Sequence, residues 1–219
     1  MIAGHNGAGK STCYRVYLKD SFGHLTERHI DPDAIEKEIR ANWEGNHIGA
    51  DEFSRLASQE ATQLRETLFE AHASFSFETV FSDPVGEKVR FIERLRGHGY
   101  YVVLLFVALD SPDKSRARVA ARHERGGHDV PVDRIYARYP RVLANAEKAV
   151  KVASISLVVD NSTDSADPDS PCYDAVAIFE NGVVVASAES IPAWASGLGI
   201  PPKFAPSLPL PTADVGSTK

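Results

Sequence analysis

The apolar positions along this chain follow two spacings, which predict helices and strands in alternation. Between residues 53 and 68, apolar side chains recur three or four positions apart, and this spacing predicts a helix with one buried face. The same spacing over residues 85–95 predicts another helix, which Gly97 and Gly99 end. Residues 101–109, in contrast, are apolar almost throughout, as expected of a central strand buried on both faces.

Three short stretches carry Asp or Ser and then Pro, directly after an apolar run and before helical periodicity. They are residues 29–32, 80–84 and 108–112. Asp and Ser suit the N-cap of a helix, and Pro suits its first position, where the missing N–H is not needed. With a fourth junction near the N-terminus, they indicate a parallel sheet with crossover helices. Such sheets bind ligands at the carboxyl ends of their strands, so chemistry is expected at these junctions.

The last part of the chain departs from this pattern. Residues 175–187 predict a β-hairpin that turns at Asn181-Gly182. From residue 191 onwards, six prolines crowd a segment with few charges, which predicts an extended or disordered tail. We therefore expect one folded domain over residues 1–190 and a tail over residues 191–219.

Composition limits the class of protein. The chain has 219 residues, 43% of them hydrophobic and 25% charged, which is typical of a globular domain. Its formal net charge of -6 argues against a nucleic-acid partner, and no apolar run reaches the roughly 18 residues of a membrane span. Cys13 and Cys172 are too few for a disulfide framework. Because the first motif begins at Gly4, we expect no targeting peptide and a cytoplasmic protein.

The clearest chemical signal is a phosphate-binding loop near the N-terminus. Residues 4–11 (GHNGAGKS) match the P-loop pattern G-x-x-x-x-G-K-[ST] in full. In such a loop the backbone N–H groups of a glycine-rich turn face a phosphate, Lys10 lies against the β- and γ-phosphates, and the Ser11 hydroxyl is the expected Mg²⁺ ligand. The expected cofactors are ATP, favoured over GTP, and Mg²⁺. The predicted nucleotide-binding residues are Gly4, His5, Asn6, Gly7, Ala8, Gly9, Lys10, Ser11 and Thr12.

Residues 114–148 form a basic stretch in an acidic protein, with nine Lys or Arg against four Asp or Glu. Arginines recur at helical spacing on both sides of a loop that holds Gly126 and Gly127. Guanidinium groups hold phosphate oxygens in pairs and stabilise developing charge, so we predict a lid that closes over transferring phosphates. Two solvated helix faces, or a nucleic-acid patch, are the alternatives.

The predicted fold is an α/β, P-loop NTPase-like three-layer sandwich with a mainly parallel sheet, this helical lid and the C-terminal β-hairpin.

Two acidic residues lie close to predicted strand ends. Asp33 falls in the first turn of a helix, where it could accept the proton of a substrate hydroxyl or serve only as a helix-dipole carboxylate. Glu78 lies in an apolar strand, where a charge needs a partner. We interpret Glu78 and Thr79 as contacts to substrate or to Mg²⁺-bound water, with a structural salt bridge of Glu78 as the alternative.

Four stretches together resemble the zeta toxin family of P-loop kinases over residues 1–150: GHNGAGKST, DPD before a helix, FETVFS and RHERGGHDVPVDRIYARYPR. The resemblance implies an enzyme that uses ATP and Mg²⁺ to phosphorylate a UDP-N-acetyl amino sugar such as UDP-N-acetylglucosamine. It also implies an antitoxin protein as a partner.

The same resemblance assigns roles to particular residues. Asp33 becomes the base, and Glu78 and Thr79 face the substrate. Arg122 clamps the γ-phosphate together with Arg134 or Arg138. The implied catalytic residues are Lys10, Asp33, Arg122, Arg134 and Arg138.

Two other hypotheses stay open. The chain could be a kinase for another alcohol, such as an antibiotic, a nucleoside or a nucleic-acid end. It could also be a non-catalytic switch that depends on a nucleotide. A switch has no need of an acceptor-side base, so the basic lid and Asp33 favour phosphoryl transfer.

Overall fold

The computed structural model describes residues 1–19, 28–127, 129–165 and 172–201. Its strands are β1 (Ile2–Gly4), β2 (His29–Ile30), β3 (Ser76–Thr79), β4 (Val103–Ala108), β5 (Ile155–Asp160), β6 (Asp174–Glu180) and β7 (Val183–Ser187). Its α-helices are α1 (Lys10–Cys13), α2 (Pro32–Ala41), α3 (Ala50–Glu70), α4 (Glu87–Gly97), α5 (Pro112–Glu124) and α6 (Val132–Val152). A π-helical segment, Tyr14–Leu18, continues α1, and a 3-10 helix spans Ala193–Leu198.

The described strands form one mainly parallel sheet in the order β2-β3-β1-β4-β5-β6-β7. The first five strands in that order run parallel, whereas β6 pairs antiparallel with β5, and β7 pairs antiparallel with β6. The predicted central strand is confirmed, because β4 lies between β1 and β5 and its last five residues are almost fully buried. The predicted hairpin is confirmed as well, since β6 and β7 are joined through Asn181 and Gly182.

Apolar side chains pack against both faces of the sheet, which makes the fold a three-layer α/β sandwich. Residues of β1 and β4 alternate between the two faces, as the period of a strand requires: Leu104 and Phe106 lie in one cluster, and Leu105 and Val107 in the other. Helices α3, α4 and α6 cover the first face. Cys13, at the end of α1, lies on the second.

The basic stretch folds into two helices, α5 and α6, that contact each other. Val119, Val130 and Ile135 join them in a small apolar cluster of their own. Between them lies the loop that starts with Gly126 and Gly127; His128 in that loop lies outside the described residues. This pair of helices is the structural counterpart of the predicted lid.

Two of the three predicted Asp/Ser-Pro junctions are confirmed. Asp31 caps α2 and Ser111 caps α5, each followed by Pro at the first helical position. The junction over residues 80–84 is wrong as a helix start, because α4 begins only at Glu87. There the Asp83 carboxylate accepts a hydrogen bond from the N–H of Glu87 at 2.5 Å. Asp83 thus contacts the first residue of α4 from a position four residues before the helix.

The start of the predicted tail also needs correction. The 3-10 helix Ala193–Leu198 packs onto the main core, with Ala195 and Leu198 buried. Apolar side chains that lie between the prolines make this contact. The prediction of a tail rested on the prolines and the low charge of the segment, and neither indicates that such side chains are buried. The remainder of the predicted tail, residues 202–219, lies outside the described residues.

No helix within the described ranges is both long and apolar enough to cross a membrane.

Candidate functional site

A cleft of about 590 Å³ opens at the carboxyl ends of the parallel strands. Residues of the predicted P-loop form its floor, and the first turn of α2 and the end of β3 form one side. Residues of α5 and the segment after β5 form the other side. This is the position where open α/β sheets bind ligands, as the junction pattern predicted.

The P-loop conformation depends on glycine at its first and last glycine positions. At Gly4 a Cβ atom would lie 1.9 Å from the carbonyl oxygen of Val107, so the loop leaves the sheet through a space that no other residue fits. Gly9 has a φ of 84°, in the left-handed region, immediately before α1 begins at Lys10. The loop therefore leads directly into the N-terminus of α1, the arrangement that binds anions at helix N-termini.

Lys10 lies inside the turn of this loop. Its Nζ donates to the carbonyl oxygens of Gly4 at 3.2 Å and of His5 at 3.0 Å. Burial lowers the pKa of Lys10, while the carboxylates of Glu78 and Asp33 oppose that shift. A phosphate oxygen in the loop would give the Lys10 ammonium group a negatively charged partner in place of these two neutral carbonyl oxygens. This exchange favours phosphate binding.

Glu78 is buried, with 4% of its surface exposed, and it lies beside the P-loop. Its Oε2 accepts a hydrogen bond from the Ser11 hydroxyl at 2.8 Å. The other oxygen, Oε1, has His29 Nε2 at 3.4 Å and no hydrogen-bond donor among the described residues. Each interpretation of Glu78 thus has a structural counterpart. The contact of Oε1 with His29 corresponds to the structural salt bridge, and the contact of Oε2 with Ser11, beside the cleft, corresponds to a role in binding substrate or Mg²⁺-bound water.

Hydroxyl and carboxylate oxygens at this point fit a magnesium ion. Beside Ser11 and Glu78 stands Asp31, whose pKa is raised by burial and by the charge of Glu78. In the described part of the chain, no group of three or more His, Cys, Asp or Glu could hold a metal ion by itself. Mg²⁺ does not need one, because it usually takes one or two protein oxygens and completes its shell with phosphates and water.

Asp33 and Arg122 meet across the cleft. Asp31 accepts the N–H of Asp33 at 3.0 Å as the cap of α2, and this cap fixes the first turn. From there Asp33 Oδ2 lies 3.2 Å from Nη1 of Arg122 on α5. The acid and the arginine that the sequence singled out separately therefore form one ion pair at the mouth of the P-loop.

The other predicted arginines lie elsewhere. Arg134 binds both oxygens of Asp51, at 2.8 and 2.9 Å, outside the cleft lining. Nη1 of Arg138 lies 3.4 Å from Oδ1 of Asn6, and burial lowers the pKa of this half-buried arginine. Arg118 and Arg125 line the cleft although neither was chosen for a role. Which of these groups contacts phosphate stays a prediction.

Thr79 lines the cleft next to Glu78. Its hydroxyl oxygen accepts a hydrogen bond from the N–H of Phe81 at 3.1 Å, which supports the left-handed conformation of Phe81 (φ 66°). A hydroxyl that accepts one bond can still donate another, so Thr79 can contact an acceptor molecule.

Three contacts to the P-loop come from residues that the sequence did not single out: Ser115, Asn161 and Tyr173. Each donates to a backbone carbonyl oxygen of the loop. They lie more than a hundred positions away from the loop in the chain, so no local motif could mark them.

A scan against protein-family models matches residues 1–168 to the zeta toxin family. A search of curated proteins gave no significant match.

Several solved structures share the fold. A chain of the AvrRxo1-ORF1:AvrRxo1-ORF2 complex with ATP has a TM-score of 0.57 at 14% identity, over 84% of this chain and 59% of that chain. A chain of the PezAT chromosomal toxin-antitoxin system of Streptococcus pneumoniae has a TM-score of 0.51 at 17% identity, over 78% and 68% of the two chains. A protein of Chloroflexus aurantiacus assigned as a kinase has a TM-score of 0.52 at 15% identity, over 77% and 90%.

At these identities the structural likeness shows the fold, and this chain spans only 59% of the length of its AvrRxo1 neighbour. The family model carries the assignment, because it covers well over half of the residues and includes the P-loop, Asp33, Glu78 and the Arg122 helix. This chain therefore belongs to the zeta toxin family and has the fold of a P-loop kinase.

Proposed function

We propose that this protein transfers the γ-phosphate of ATP to a hydroxyl group of a UDP-N-acetyl amino sugar. The observation that carries the proposal is the pairing of Asp33 with Arg122 at 3.2 Å over the P-loop. One group can take a proton from an acceptor and the other can neutralise a phosphoryl group. Phosphoryl transfer needs both at one point, and a nucleotide switch needs no acceptor-side carboxylate.

The nucleotide enters with its phosphates in the P-loop. Lys10 Nζ leaves the carbonyl oxygens of Gly4 and His5 for the β- and γ-phosphates, and the start of α1 adds backbone N–H groups. Ser11 and Glu78 would hold Mg²⁺, directly or through water, and the ion would supply positive charge that offsets the charge of the phosphates. The AvrRxo1 complex with ATP supports ATP as the nucleotide.

The transfer step uses Asp33 and Arg122. The acceptor oxygen forms a bond to the γ-phosphorus while the bond from that phosphorus to the β–γ bridging oxygen breaks, and ADP leaves. The proton of the acceptor hydroxyl goes to the Asp33 carboxylate. Arg122 moves from Asp33 to the equatorial oxygens of the γ-phosphoryl group, where its charge stabilises the transition state.

The acceptor enters from the side of the cleft formed by Asp33, Glu78 and Thr79. A cleft of about 590 Å³ is within the usual range of small-molecule sites. Family membership supports a UDP-N-acetyl amino sugar as the acceptor, with UDP-N-acetylglucosamine as the first compound to try.

Membership of the zeta toxin family and the likeness to PezAT support two further parts of the proposal. We expect an antitoxin protein that neutralises the activity, and we expect the enzyme to act in the cytoplasm, where ATP and sugar nucleotides occur.

The test is a product assay with purified protein, ATP and Mg²⁺, with and without UDP-N-acetylglucosamine. We expect ATP consumption that depends on the sugar nucleotide, and a product that mass spectrometry identifies as the sugar nucleotide with one added phosphoryl group. ATP consumption that ignores the sugar, with no phosphorylated product, would remove this acceptor. Turnover with another alcohol in the same assay would keep the kinase and replace its substrate.

The geometry around Arg122 predicts an effect of Gly127. The end of α5 is a Schellman motif, in which Gly126 N–H donates to His123 O at 2.8 Å and Gly127 N–H donates to Arg122 O at 3.0 Å. A Cβ at Gly127 would lie 2.6 Å from Cγ and 2.9 Å from the backbone carbonyl oxygen of Arg122. Gly127→Ala should therefore displace the Arg122 side chain and lower turnover about tenfold, a loss of about 1.4 kcal/mol of transition-state stabilisation.

Gly126→Ala is the matched control for that variant. Gly126 has a φ of 82°, so a side chain there is strained by about 1–2 kcal/mol, but a Cβ would meet no atom within 4 Å. We expect Gly126→Ala to lower the midpoint of thermal unfolding and to leave turnover close to that of the wild type. Equal turnover of Gly127→Ala and the wild type would show that Gly127 does not position Arg122.

A further inference from the structure

Three side chains from distant parts of the fold hold the carbonyl oxygens of the P-loop. Ser115 Oγ donates to Asn6 O at 2.6 Å, Asn161 Nδ2 donates to Ala8 O at 2.9 Å, and Tyr173 OH donates to Gly9 O at 2.7 Å. Gly9 O also accepts the first hydrogen bond of α1, from the N–H of Cys13 at 2.8 Å. Three carbonyl groups of a loop whose N–H groups should bind phosphate are thus each held by a side-chain donor.

Peptide geometry links these contacts to phosphate binding. In a planar trans peptide group the C=O and the N–H point in opposite directions. When Asn161 fixes the carbonyl of Ala8, it also fixes the direction of the N–H of Gly9. When Tyr173 fixes the carbonyl of Gly9, it fixes the N–H of Lys10. A loop with glycine at its turns could otherwise rotate these peptide groups at little cost.

The two donors are themselves held firmly. Asn161 is 4% exposed, and its own N–H donates to Ala108 O at 3.0 Å, at the end of β4. Tyr173 is 8% exposed and packs in the apolar cluster with Ala8 and Val159. Both also reach the wall of the cleft. A Cβ at Gly9 would lie 2.7 Å from Asn161 Nδ2 and 2.9 Å from the Tyr173 hydroxyl, so loop and donors are closely fitted.

We propose that Asn161 and Tyr173 are positioning residues that orient the peptide groups of the P-loop for the phosphates of the nucleotide. They act through the backbone of Ala8, Gly9 and Lys10 and need not touch the ligand. The inference rests on the proposed function in one respect only, that the P-loop binds a nucleotide. It is independent of the acceptor.

A merely structural role would give a different result. If these hydrogen bonds only joined the segments around β5 and β6 to the rest of the sheet, their loss would lower stability and leave nucleotide affinity unchanged. If they orient the phosphate cradle, their loss weakens nucleotide binding beyond the effect of an equivalent loss elsewhere. Nucleotide affinity, measured without acceptor, therefore separates the two roles.

The chain offers a matched control for each residue. Tyr139 OH donates to Leu109 O at 2.9 Å, and the Tyr139 ring stacks on His5 of the P-loop with ring centroids 4.4 Å apart. Tyr139→Phe keeps that ring contact and removes a tyrosine–carbonyl hydrogen bond that does not involve the P-loop. Asn145, also 4% exposed, donates through Nδ2 to the carbonyl oxygens of Phe81 and Asp83, each at 2.9 Å. Asn145→Ala therefore removes a buried amide of equal burial at another loop.

The experiment measures the dissociation constants of ATP and ADP with Mg²⁺ by titration calorimetry for the full chain. We expect Tyr173→Phe to weaken binding about threefold to tenfold and Asn161→Ala about tenfold or more, since a buried carbonyl loses its donor. Tyr139→Phe and Asn145→Ala should change affinity by less than about twofold even where the midpoint of unfolding falls. In steady-state assays, the KM for ATP should rise while the KM for the acceptor stays unchanged.

Wild-type affinity in Tyr173→Phe would overturn the proposal for Tyr173, and Tyr173→Phe alone decides the matter if Asn161→Ala does not fold. Equal losses in the variants and their controls would also overturn it, because they would indicate a general effect of stability. A wild type that binds neither nucleotide would end both this inference and the proposed function. A wild type that binds ATP but phosphorylates no acceptor would refute the proposed function, and the affinities of the variants would still decide the inference.

Discussion

Replacing Asp33 with Asn should reduce kcat for the sugar nucleotide about a thousandfold. The amide has nearly the shape of the carboxylate but cannot take the acceptor proton as the new O–P bond forms. Asp33 lines the cleft from the first turn of α2, whereas Lys10 and Ser11, the residues proposed to hold the nucleotide, belong to the P-loop and the start of α1. We therefore expect the affinity for ATP to change little, and the loss to appear in single-turnover transfer.

Asp133→Asn is a suitable control for Asp33→Asn. Asp133 is also an exposed acid in the first turn of a helix, α6, so its loss removes the same helix-dipole stabilisation of about 0.3–1 kcal/mol. It is not part of the cleft lining. Comparable turnover of both variants and the wild type would mean that Asp33 is only a helix-dipole carboxylate, the alternative that the sequence left open.

Replacing Arg122 with Gln should also lower kcat about a thousandfold, because in the proposed mechanism its charge stabilises the transferring phosphoryl group. Its guanidinium lies 3.2 Å from Asp33, at the point where acceptor and γ-phosphate would meet. In this variant Lys10 is still present to contact ATP in the ground state. We therefore expect the dissociation constant of ATP to rise by a smaller factor than the factor by which kcat falls. Arg122→Lys should restore only part of the activity, since an ammonium group lacks the planar fork.

Arg116→Gln controls for the loss of one positive charge from α5, because Arg116 is exposed and lies outside the cleft lining. Asp33→Asn combined with Arg122→Gln gives a second check. Residues in contact are not additive, so the double variant should lose far less than the product of the two single losses. Fully additive losses would show that the two residues do not act in one step, and full activity of Arg122→Gln would exclude the clamp.

The local parts of this structure could be predicted because their causes are local. The N-caps at Asp31 and Ser111 follow from a short polar side chain before Pro, and β4 follows from an unbroken apolar run. The helix start predicted after Ser82 failed because the chain takes a left-handed turn at Phe81 (φ 66°) and again at Gly86 (φ 70°). The hydrogen bonds of Thr79 and Asn145 to the backbone of Phe81 support that course, and Asn145 lies far along the chain.

The pairing of charges was decided by the tertiary structure. Arg122, Arg134 and Arg138 are similar in sequence, since each lies on a helix of the basic stretch at helical spacing. The orientation of α5 and α6 over the sheet brings Arg122 to Asp33, leaves Arg134 with Asp51 and directs Arg138 to Asn6. Helical spacing gives the face on which a side chain lies but not what that face meets.

The phosphate loop, the parallel α/β architecture, the hairpin and the family could all be inferred from the chain, because glycine, proline and apolar spacing act through the backbone within a few residues. Three features follow from tertiary packing alone: which acid meets which arginine, that Glu78 accepts the Ser11 hydroxyl, and that Asn161 and Tyr173 hold the loop. Those contacts join residues that are from about seventy to more than a hundred and fifty positions apart. Packing of the helices and loops around the sheet sets such distances, and no local pattern in the chain encodes them.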